Sequence, residues 1–185
     1  GSDEAKDAIA ESVRRISSIA LVHETLSREA GEDVSFTEIL RPLVQMVAEA
    51  VSSPDRHIDF EVTGENTLLP AQVATPMAVV LTELLQNTAD HAFPPDHAGA
   101  RDAALDGAKV TVDLATDRDD FVVRVIDNGV GVPAGFSVET STGLGLSIVR
   151  ALVTSDLRGT IDIYEPPHGE GTVVELRVPL DAAAV

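Results

Sequence analysis

The segment 121–126 (Phe-Val-Val-Arg-Val-Ile) constrains the fold most, because it is apolar at every position except Arg124. Continuous apolar runs of this length are typical of strands in the interior of a sheet, buried on both faces. Residues 109–115 alternate between apolar and polar positions, and only residues 116–120 separate the two runs. We therefore predict an antiparallel hairpin whose second strand is central in a sheet. Further strands are predicted at 57–62, 160–164 and 172–179.

Helical patterns are interleaved with these strands. Ser35 with Glu38 has the spacing of a capping box, and because Pro42 lies too deep for a first turn, we expect a short lead-in turn and a longer helix beginning near it. Thr75 and Pro76 predict the N-cap and first residue of another helix. The sequence thus predicts an α+β fold, a mixed and mostly antiparallel sheet with helices on one face. The predicted helices of this unit are a segment over 35–51, made of that lead-in turn and the longer helix, and helices over 75–93 and 143–157.

A separate helix is predicted at residues 2–30. Ile9, Val13 and Ile16 belong to a narrow apolar stripe, and the remaining faces are charged. Such a helix needs a partner helix to bury the stripe. We therefore predict two units, a helical segment over 1–30 and a globular domain over 31–185. The opening Gly-Ser pair is typical of a cleavage scar, so we expect this chain to be a piece of a longer protein.

The composition excludes several classes of function. Thirteen basic residues against thirty-one acidic ones give a net charge of −18, which would repel nucleic acid and anionic lipid. Aromatic residues make up 3% of the chain, too few for base-stacking platforms, and the absence of cysteine excludes disulfides and thiolate metal sites. The sequence shows neither an apolar run long enough to span a membrane nor a signal peptide. We expect a soluble, cytoplasmic protein without nucleic-acid or membrane partners.

The first candidate site lies on the helix predicted from Thr75. Glu83, Asn87 and His91 are spaced four residues apart and therefore share one helix face. A carboxylate, an amide and an imidazole are an unusual set for a solvated face, and an amide oxygen is a suitable ligand for Mg²⁺. Taken alone, the stripe is equally typical of a polar outer face.

The second candidate follows the central strand directly. Asp127 at a strand end can accept a hydrogen bond from an exocyclic amine, and Gly129 and Gly131 allow the backbone to pass close to a planar ring. By itself, Asp-Asn-Gly is also favourable chemistry for a plain turn.

The third candidate, Thr142-Gly143-Leu144-Gly145-Leu146, opens a helix. Backbone N–H groups at a glycine-rich helix N-terminus can bind phosphate, and the helix dipole favours its negative charge. In so acidic a chain, a polyphosphate needs Mg²⁺ and oriented amides to overcome the general repulsion. A Gly-x-Gly pair alone is weak evidence, and the sequence has no P-loop.

The order of the three segments, E-x-x-x-N, D-x-G-x-G and then G-x-G, resembles the GHKL ATPase superfamily of histidine kinases, MutL proteins and DNA gyrase B. The resemblance covers residues 36–180 and implies a Bergerat ATP-binding fold with ATP and Mg²⁺ as ligands, under a short lid at 132–142. By position, it implies that Asn87 coordinates Mg²⁺, that His91 reaches the phosphates and that Glu83 orients or polarises the attacking group. The remaining implied contacts are Asp127, Gly129, Gly131 and Thr172 on the adenine side, and Thr142, Gly143, Leu144, Gly145 and Leu146 at the phosphates.

Residues 11–27 resemble the second dimerisation helix of HisKA_2-type sensor kinases, close to the soluble actinobacterial PdtaS type. This resemblance implies a homodimer in the full-length protein and a response regulator partner of the antitermination type. It also implies that the phosphoacceptor histidine lies on a first helix outside this sequence, so that this chain binds Mg·ATP without phosphorylating itself. We interpret His23 as a packed or partner-facing residue because it lies on the apolar stripe. The alternatives are an ATP-hydrolysing GHKL switch, an anti-sigma-type Ser/Thr kinase, and an interaction module with a degenerate nucleotide site.

Overall fold

A computed structural model describes residues 33–52, 57–94, 107–133, 135–138, 144–167 and 169–180, with scattered helical positions between 5 and 24. The side chain of Leu144 lies outside the described part. The helices are α1 (Phe36–Val51), α2 (Ala71–Ala92) and α3 (Leu144–Ala151), which continues into a π turn at Leu152–Asp156. The strands are β1 (Val34–Ser35), β2 (Ile58–Gly64), β3 (Leu68–Leu69), β4 (Ala108–Asp117), β5 (Asp120–Asp127), β6 (Thr160–Tyr164) and β7 (Thr172–Pro179).

The main sheet has five strands in the order β2-β4-β5-β7-β6. The β2–β4 pair is parallel, and the other three pairs are antiparallel. The strand β5 lies in the middle, with Asp127 at its end opposite Thr172 of β7. The predicted central strand, the hairpin and the mixed, mostly antiparallel sheet are therefore confirmed.

The hydrophobic core lies between one face of this sheet and the helices. Alternate residues of β5 (Phe121, Val123 and Val125) point into it, and α2 supplies Met77, Leu81 and Leu85, which are fully buried. The rings of Phe36 and Phe121 meet edge to face, with centroids 5.5 Å apart. Helix α2 packs against both α1 and α3. The sandwich with helices on one face is confirmed as well.

The other face of the sheet carries a polar row that crosses every strand. Thr63, Asp113, Arg124 and Glu175 are consecutive cross-strand partners on β2, β4, β5 and β7. Thr63 Oγ1 donates to Asp113 at 3.0 Å, and Arg124 Nε donates to Glu175 at 2.7 Å. Tyr164 of β6 completes the row by donating its hydroxyl to Glu175 at 2.9 Å.

The start of the first domain helix differs from the prediction. Helix α1 is continuous from Phe36, without a lead-in turn, and contains Pro42 on its exposed side. The helix tolerates this proline because water can reach the backbone carbonyl that loses its partner. The capping box is also wrong, because the Ser35 hydroxyl donates to Asn66 Oδ1 at 2.9 Å and makes no cap hydrogen bond. Ser35 is instead part of the short β1–β3 pair, which was not predicted.

Helix α2 begins at Ala71, four residues before the predicted N-cap. Pro70 occupies the cap position, and its carbonyl accepts the N–H groups of Val73 and Ala74 at 2.9 Å. Thr75 is an interior residue whose hydroxyl donates to the carbonyl of Ala71 at 3.0 Å. The burial of Val73 and Ala74 explains the earlier start, because a helix beginning at Thr75 would leave both without their core contacts.

The described residues between 5 and 24 are helical and exposed. Ile9, Val13, Ile16 and Ile19 have exposed fractions of 64%, 56%, 67% and 51%. His23 is exposed as well. In the part of the chain that the structure describes, we find no helix of the length and apolarity needed to cross a bilayer.

Candidate functional site

The carboxylate of Asp127 ends the central strand in a buried position, with 5% of its surface exposed. Burial raises its pKa to about 6, whereas hydrogen bonds from the backbone N–H groups of Gly129 and Thr172 act in the opposite direction. The Gly129 N–H lies 2.9 Å from Oδ1. At neutral pH, this arrangement holds an ionised acceptor in a dry position, which suits an amine donor.

The loop after Asp127 is docked on the C-terminal end of helix α2. The N–H of Val130 donates to the carbonyl oxygen of Ala92 at 2.9 Å. A Cβ at Gly129 would overlap that same carbonyl, so the position requires glycine. Gly131 adopts a left-handed φ of +75°, close to the carbonyl of Gly171. Sequence reasoning assigned these glycines to a ring pocket, and in the structure Gly129 approaches the helix end.

The three predicted site residues of α2 differ in burial along the helix. Glu83 is 3% exposed, Asn87 is half-buried and His91 is exposed in the last turn. The stripe therefore runs from the interior to the surface, and a uniformly solvated outer face is excluded. Asn87 lies five residues before Ala92, about 7.5 Å along the helix axis. The docked loop thus brings the first two predicted segments to the same end of α2.

The amide of Asn87 is the clearest sign of an incomplete site. Its Nδ2 atom is buried and has no hydrogen-bond partner among the described residues. A buried donor without an acceptor costs about 1–3 kcal/mol, so such an atom is expected where a bound group completes the contacts. No group of three His, Cys, Asp or Glu side chains in the described ranges could hold a metal ion. Mg²⁺ does not need one, because it binds through few protein oxygens together with phosphate and water.

The third predicted segment is only partly described. Helix α3 begins at Leu144, Gly145 is buried and Leu146 is half-buried, whereas Thr142 and Gly143 lie outside the described residues. Because α3 packs against α2, its first turn belongs to the same helical layer as Asn87. In the predicted lid, Phe136 is 40% exposed.

Sequence reasoning missed two positions beside Asp127. Gly171 has a φ of +118°, and a Cβ there would overlap the backbone carbonyl of Asp127. The Gly-x-Gly spacing of Gly169 and Gly171 before Thr172 was the available signal. Asn128 forms hydrogen bonds to Gly107 and Lys109, and the sequence offered only its turn propensity. A groove of about 400 Å³ between α1 and β2 contains none of the predicted site residues.

Comparison with family models gives two matches. Residues 72–182 match the model of histidine kinase-, DNA gyrase B- and HSP90-like ATPases, and residues 1–51 match the HisKA_2 histidine kinase model. The matches cover the domain that carries the site and the segment that contains the exposed helix.

Two curated relatives are sensor histidine kinases named PdtaS. The protein of Mycolicibacterium smegmatis is 40% identical over 178 residues, which is 96% of this chain and 34% of the relative. The protein of Mycobacterium tuberculosis is 40% identical over 177 residues, which is 96% of this chain and 33% of the relative. This chain therefore spans about a third of the length of these relatives.

Solved structures of two histidine kinases share the fold. The histidine kinase domain of the blue-light-activated kinase EL346 from Erythrobacter litoralis superposes with a TM-score of 0.74 at 22% identity, covering 91% of this chain and 74% of that one. The histidine kinase AdeS of Acinetobacter baumannii superposes with a TM-score of 0.63 at 16% identity, covering 95% and 80%. At these identities the similarity concerns the fold alone.

Proposed function

Because this chain belongs to the family of histidine kinase-, DNA gyrase B- and HSP90-like ATPases, we propose that it is the ATP-binding catalytic domain of a two-component sensor histidine kinase. In this proposal the domain binds Mg·ATP. The γ-phosphoryl group passes to a histidine on a dimerisation helix and then to an aspartate of a response regulator. The division into a helical segment over 1–30 and an ATP-binding domain over 31–185, and a cytoplasmic location, belong to the proposal.

One observation carries this proposal: the hydrogen bond from the Val130 N–H to the Ala92 carbonyl at 2.9 Å. It joins the loop that carries the buried carboxylate of Asp127 to the helix that carries Asn87, whose amide nitrogen has no partner among the described residues. A purine amine and a polyphosphate are several ångströms apart in ATP, and these two groups suit its two ends.

The residues divide the work between adenine and phosphate. Asp127 accepts a hydrogen bond from the adenine amine, while Gly129, Gly131 and Thr172 form the walls of the adenine pocket. Asn87 would hold Mg²⁺ through its amide oxygen, and the ion, when bound, neutralises phosphate charge. The exposed imidazole of His91 reaches the phosphates. Phosphoryl transfer depends mainly on positioning and charge neutralisation, and little on covalent participation of the protein.

The buried position of Glu83 suits an orienting role. It lies one helical turn before Asn87, and with 3% of its surface exposed it has little access to solvent or substrate. At the phosphate end, the backbone N–H groups of Leu144, Gly145 and Leu146, preceded by Thr142 and Gly143, would bind the terminal phosphates.

The phosphoacceptor is not one of the five histidines of this chain. None of them lies in an H-R-x-K-N sequence, the phosphoacceptor motif that the HisKA_2 resemblance implies, and His23 lies on the apolar stripe of the N-terminal helix. We therefore propose that the stripe pairs with other dimerisation helices in a homodimer. We also propose that the chain binds Mg·ATP without phosphorylating itself. The response regulator is proposed to be of the antitermination type.

Calorimetric titration of ATP with and without Mg²⁺ tests the nucleotide site. We expect the wild-type chain to bind ATP more tightly with Mg²⁺, and Asn87→Ala to lose most of that difference. Asn66→Ala is the matched control, because Asn66 is hydrogen-bonded to Ser35 at the β1–β3 pair and not to a proposed site residue. An unchanged Mg²⁺ dependence in Asn87→Ala would show that the metal role is wrong.

Incubation with γ-labelled ATP tests the phosphoacceptor assignment. We expect no acid-labile label on this chain. Label that disappears in His23→Ala would contradict the assignment, and steady phosphate release abolished by Glu83→Ala would favour the hydrolysing switch.

A further inference from the structure

The side chain of Asn128 takes part in the β4–β5 ladder just beyond its last backbone pair. That last pair is Val110 with Asp127. At the next position, the Asn128 N–H still donates to the Lys109 carbonyl at 3.3 Å. The Lys109 N–H, however, donates to Asn128 Oδ1 at 2.8 Å, and Asn128 Nδ2 donates to the Gly107 carbonyl at 2.9 Å.

These two side-chain hydrogen bonds replace two backbone ones. In a continued antiparallel ladder, the Lys109 N–H would donate to the backbone carbonyl of Asn128, and the Gly107 carbonyl would accept the N–H of Val130. The amide oxygen of Asn128 occupies the first position and its amide nitrogen occupies the second. Gly107 and Lys109 therefore remain hydrogen-bonded although the chain leaves the sheet.

The released N–H group has a specific use. In a continued ladder, the Val130 N–H would donate to the Gly107 carbonyl. In the structure it donates to the Ala92 carbonyl at the end of α2. The same departure from the sheet places the Gly129 N–H at 2.9 Å from Asp127 Oδ1. Because the Asn128 side chain takes the place of these backbone groups, the loop can dock on α2 and the Gly129 N–H can orient the Asp127 carboxylate.

We propose that Asn128 is a positioning residue for nucleotide binding. It frees the Val130 N–H to hold the end of α2 and thereby aligns Asp127 with the purine amine. Asn128 does not touch the nucleotide, so its effect passes through Asp127 and Val130. This inference rests on the proposed function, because it concerns the same pocket.

Asn128→Ala, compared with wild type by titration with ATP and with inosine triphosphate, tests the proposal. Inosine triphosphate has a carbonyl oxygen where ATP has the 6-amino group, so the ratio of the two affinities reports on the alignment of Asp127. We expect Asn128→Ala to bind ATP roughly threefold to tenfold more weakly, the effect of losing about one net hydrogen bond. The preference for ATP over inosine triphosphate should fall by a similar factor. Asn66→Ala should change neither quantity.

Two further measurements separate positioning from folding. Asn128→Asp keeps an acceptor for the Lys109 N–H but loses the donor to the Gly107 carbonyl. Its ATP affinity should therefore lie between those of wild type and Asn128→Ala. Amide hydrogen exchange of the nucleotide-free protein should be faster at Lys109 and Val130 in Asn128→Ala than in wild type, with α2 interior amides such as Leu81 unchanged.

Equal weakening of both nucleotides by Asn128→Ala would overturn the inference and leave the proposed function intact. Unchanged exchange at Val130 would overturn it in the same way. Failure of the wild-type chain to bind ATP, or to prefer it over inosine triphosphate, would instead remove the proposed adenine site and this inference with it.

Discussion

The substitution Asp127→Asn should make the folding stability of this domain less dependent on pH. The carboxyl group has an ordinary pKa of 3.8, and burial raises it to about 6. The folded state therefore binds the proton more tightly than the unfolded state. The resulting stability is fully present below 3.8 and is lost as the pH rises through about 6. At about 1.36 kcal/mol per pKa unit, the whole effect is roughly 3 kcal/mol.

About half of this change falls between pH 5 and pH 7.5, a range above the calculated pI of about 4.4. Urea unfolding followed by circular dichroism over this range gives the free energy of unfolding of wild type and variant. The new amide nitrogen adds its own desolvation cost, but that cost does not depend on pH. We therefore expect the difference between the two proteins to shift by about 1.4 kcal/mol in favour of the variant as the pH rises. A difference that stays constant with pH would refute the burial argument for Asp127.

The same variant should bind ATP poorly. A hydrogen bond to a charged acceptor contributes about 1.5–3 kcal/mol, so the dissociation constant should rise roughly tenfold to a hundredfold. In the wild-type chain, affinity should also fall below pH 6 because protonation competes with the purine amine for Asp127. Calorimetry at pH 5.5 and pH 7.5 measures both effects. An affinity of the variant for ATP equal to that of wild type would place the adenine elsewhere.

Three other substitutions test the docked loop, the hydrophobic core and the N-terminal helix. Gly129→Ala should separate the docked loop from α2, because the added carbon overlaps the Ala92 carbonyl that accepts the Val130 N–H, and should weaken ATP binding roughly tenfold or more in a titration. Leu85→Ala should lower the free energy of unfolding by about 2–5 kcal/mol in urea titrations, against less than about 0.5 kcal/mol for the exposed Leu68→Ala. Ile16→Glu should reduce any self-association of the chain in analytical ultracentrifugation, since Ile16 is 67% exposed on the apolar stripe.

Much of the sheet was predictable because its strands have clear patterns. The apolar run around Phe121 indicated a central strand, and the alternation from residue 109 indicated its hairpin partner. Both signals are local, because the burial of a strand on one or both faces determines which of its own positions are apolar. The burial of Met77 and Leu84 along α2 follows from helical periodicity for the same reason.

The elements that were mispredicted depend on contacts distant in sequence. Thr75 and Pro76 carry strong start signals, yet α2 starts earlier because Val73 and Ala74 have core partners that the sequence does not show. The β1–β3 pair joins residues more than thirty positions apart and is only two residues long, too short for a periodic signal. The burial of Glu83 likewise depends on tertiary packing, because the spacing fixes which helix face a residue shares but not what covers it.

The candidate site was predictable as residue types and spacing, and not as a set of backbone contacts. Asp127, Asn87 and the glycines could be chosen from the order of the motifs. The exchange of hydrogen bonds at Asn128 could not, because it requires knowing which backbone groups leave the ladder.

The polar row from Thr63 through Asp113, Arg124 and Glu175 helps to fix the register of the strands that it crosses. Side chains alternate between the two faces, so a slip of any strand by one residue would turn its member of the row toward the helices. For Arg124 or Glu175, such a slip would bury a charge without its counterion, at a cost of several kcal/mol. Sheets with the wrong register are thus less stable than the native one. This also applies to β2, the edge strand that pairs in parallel with β4.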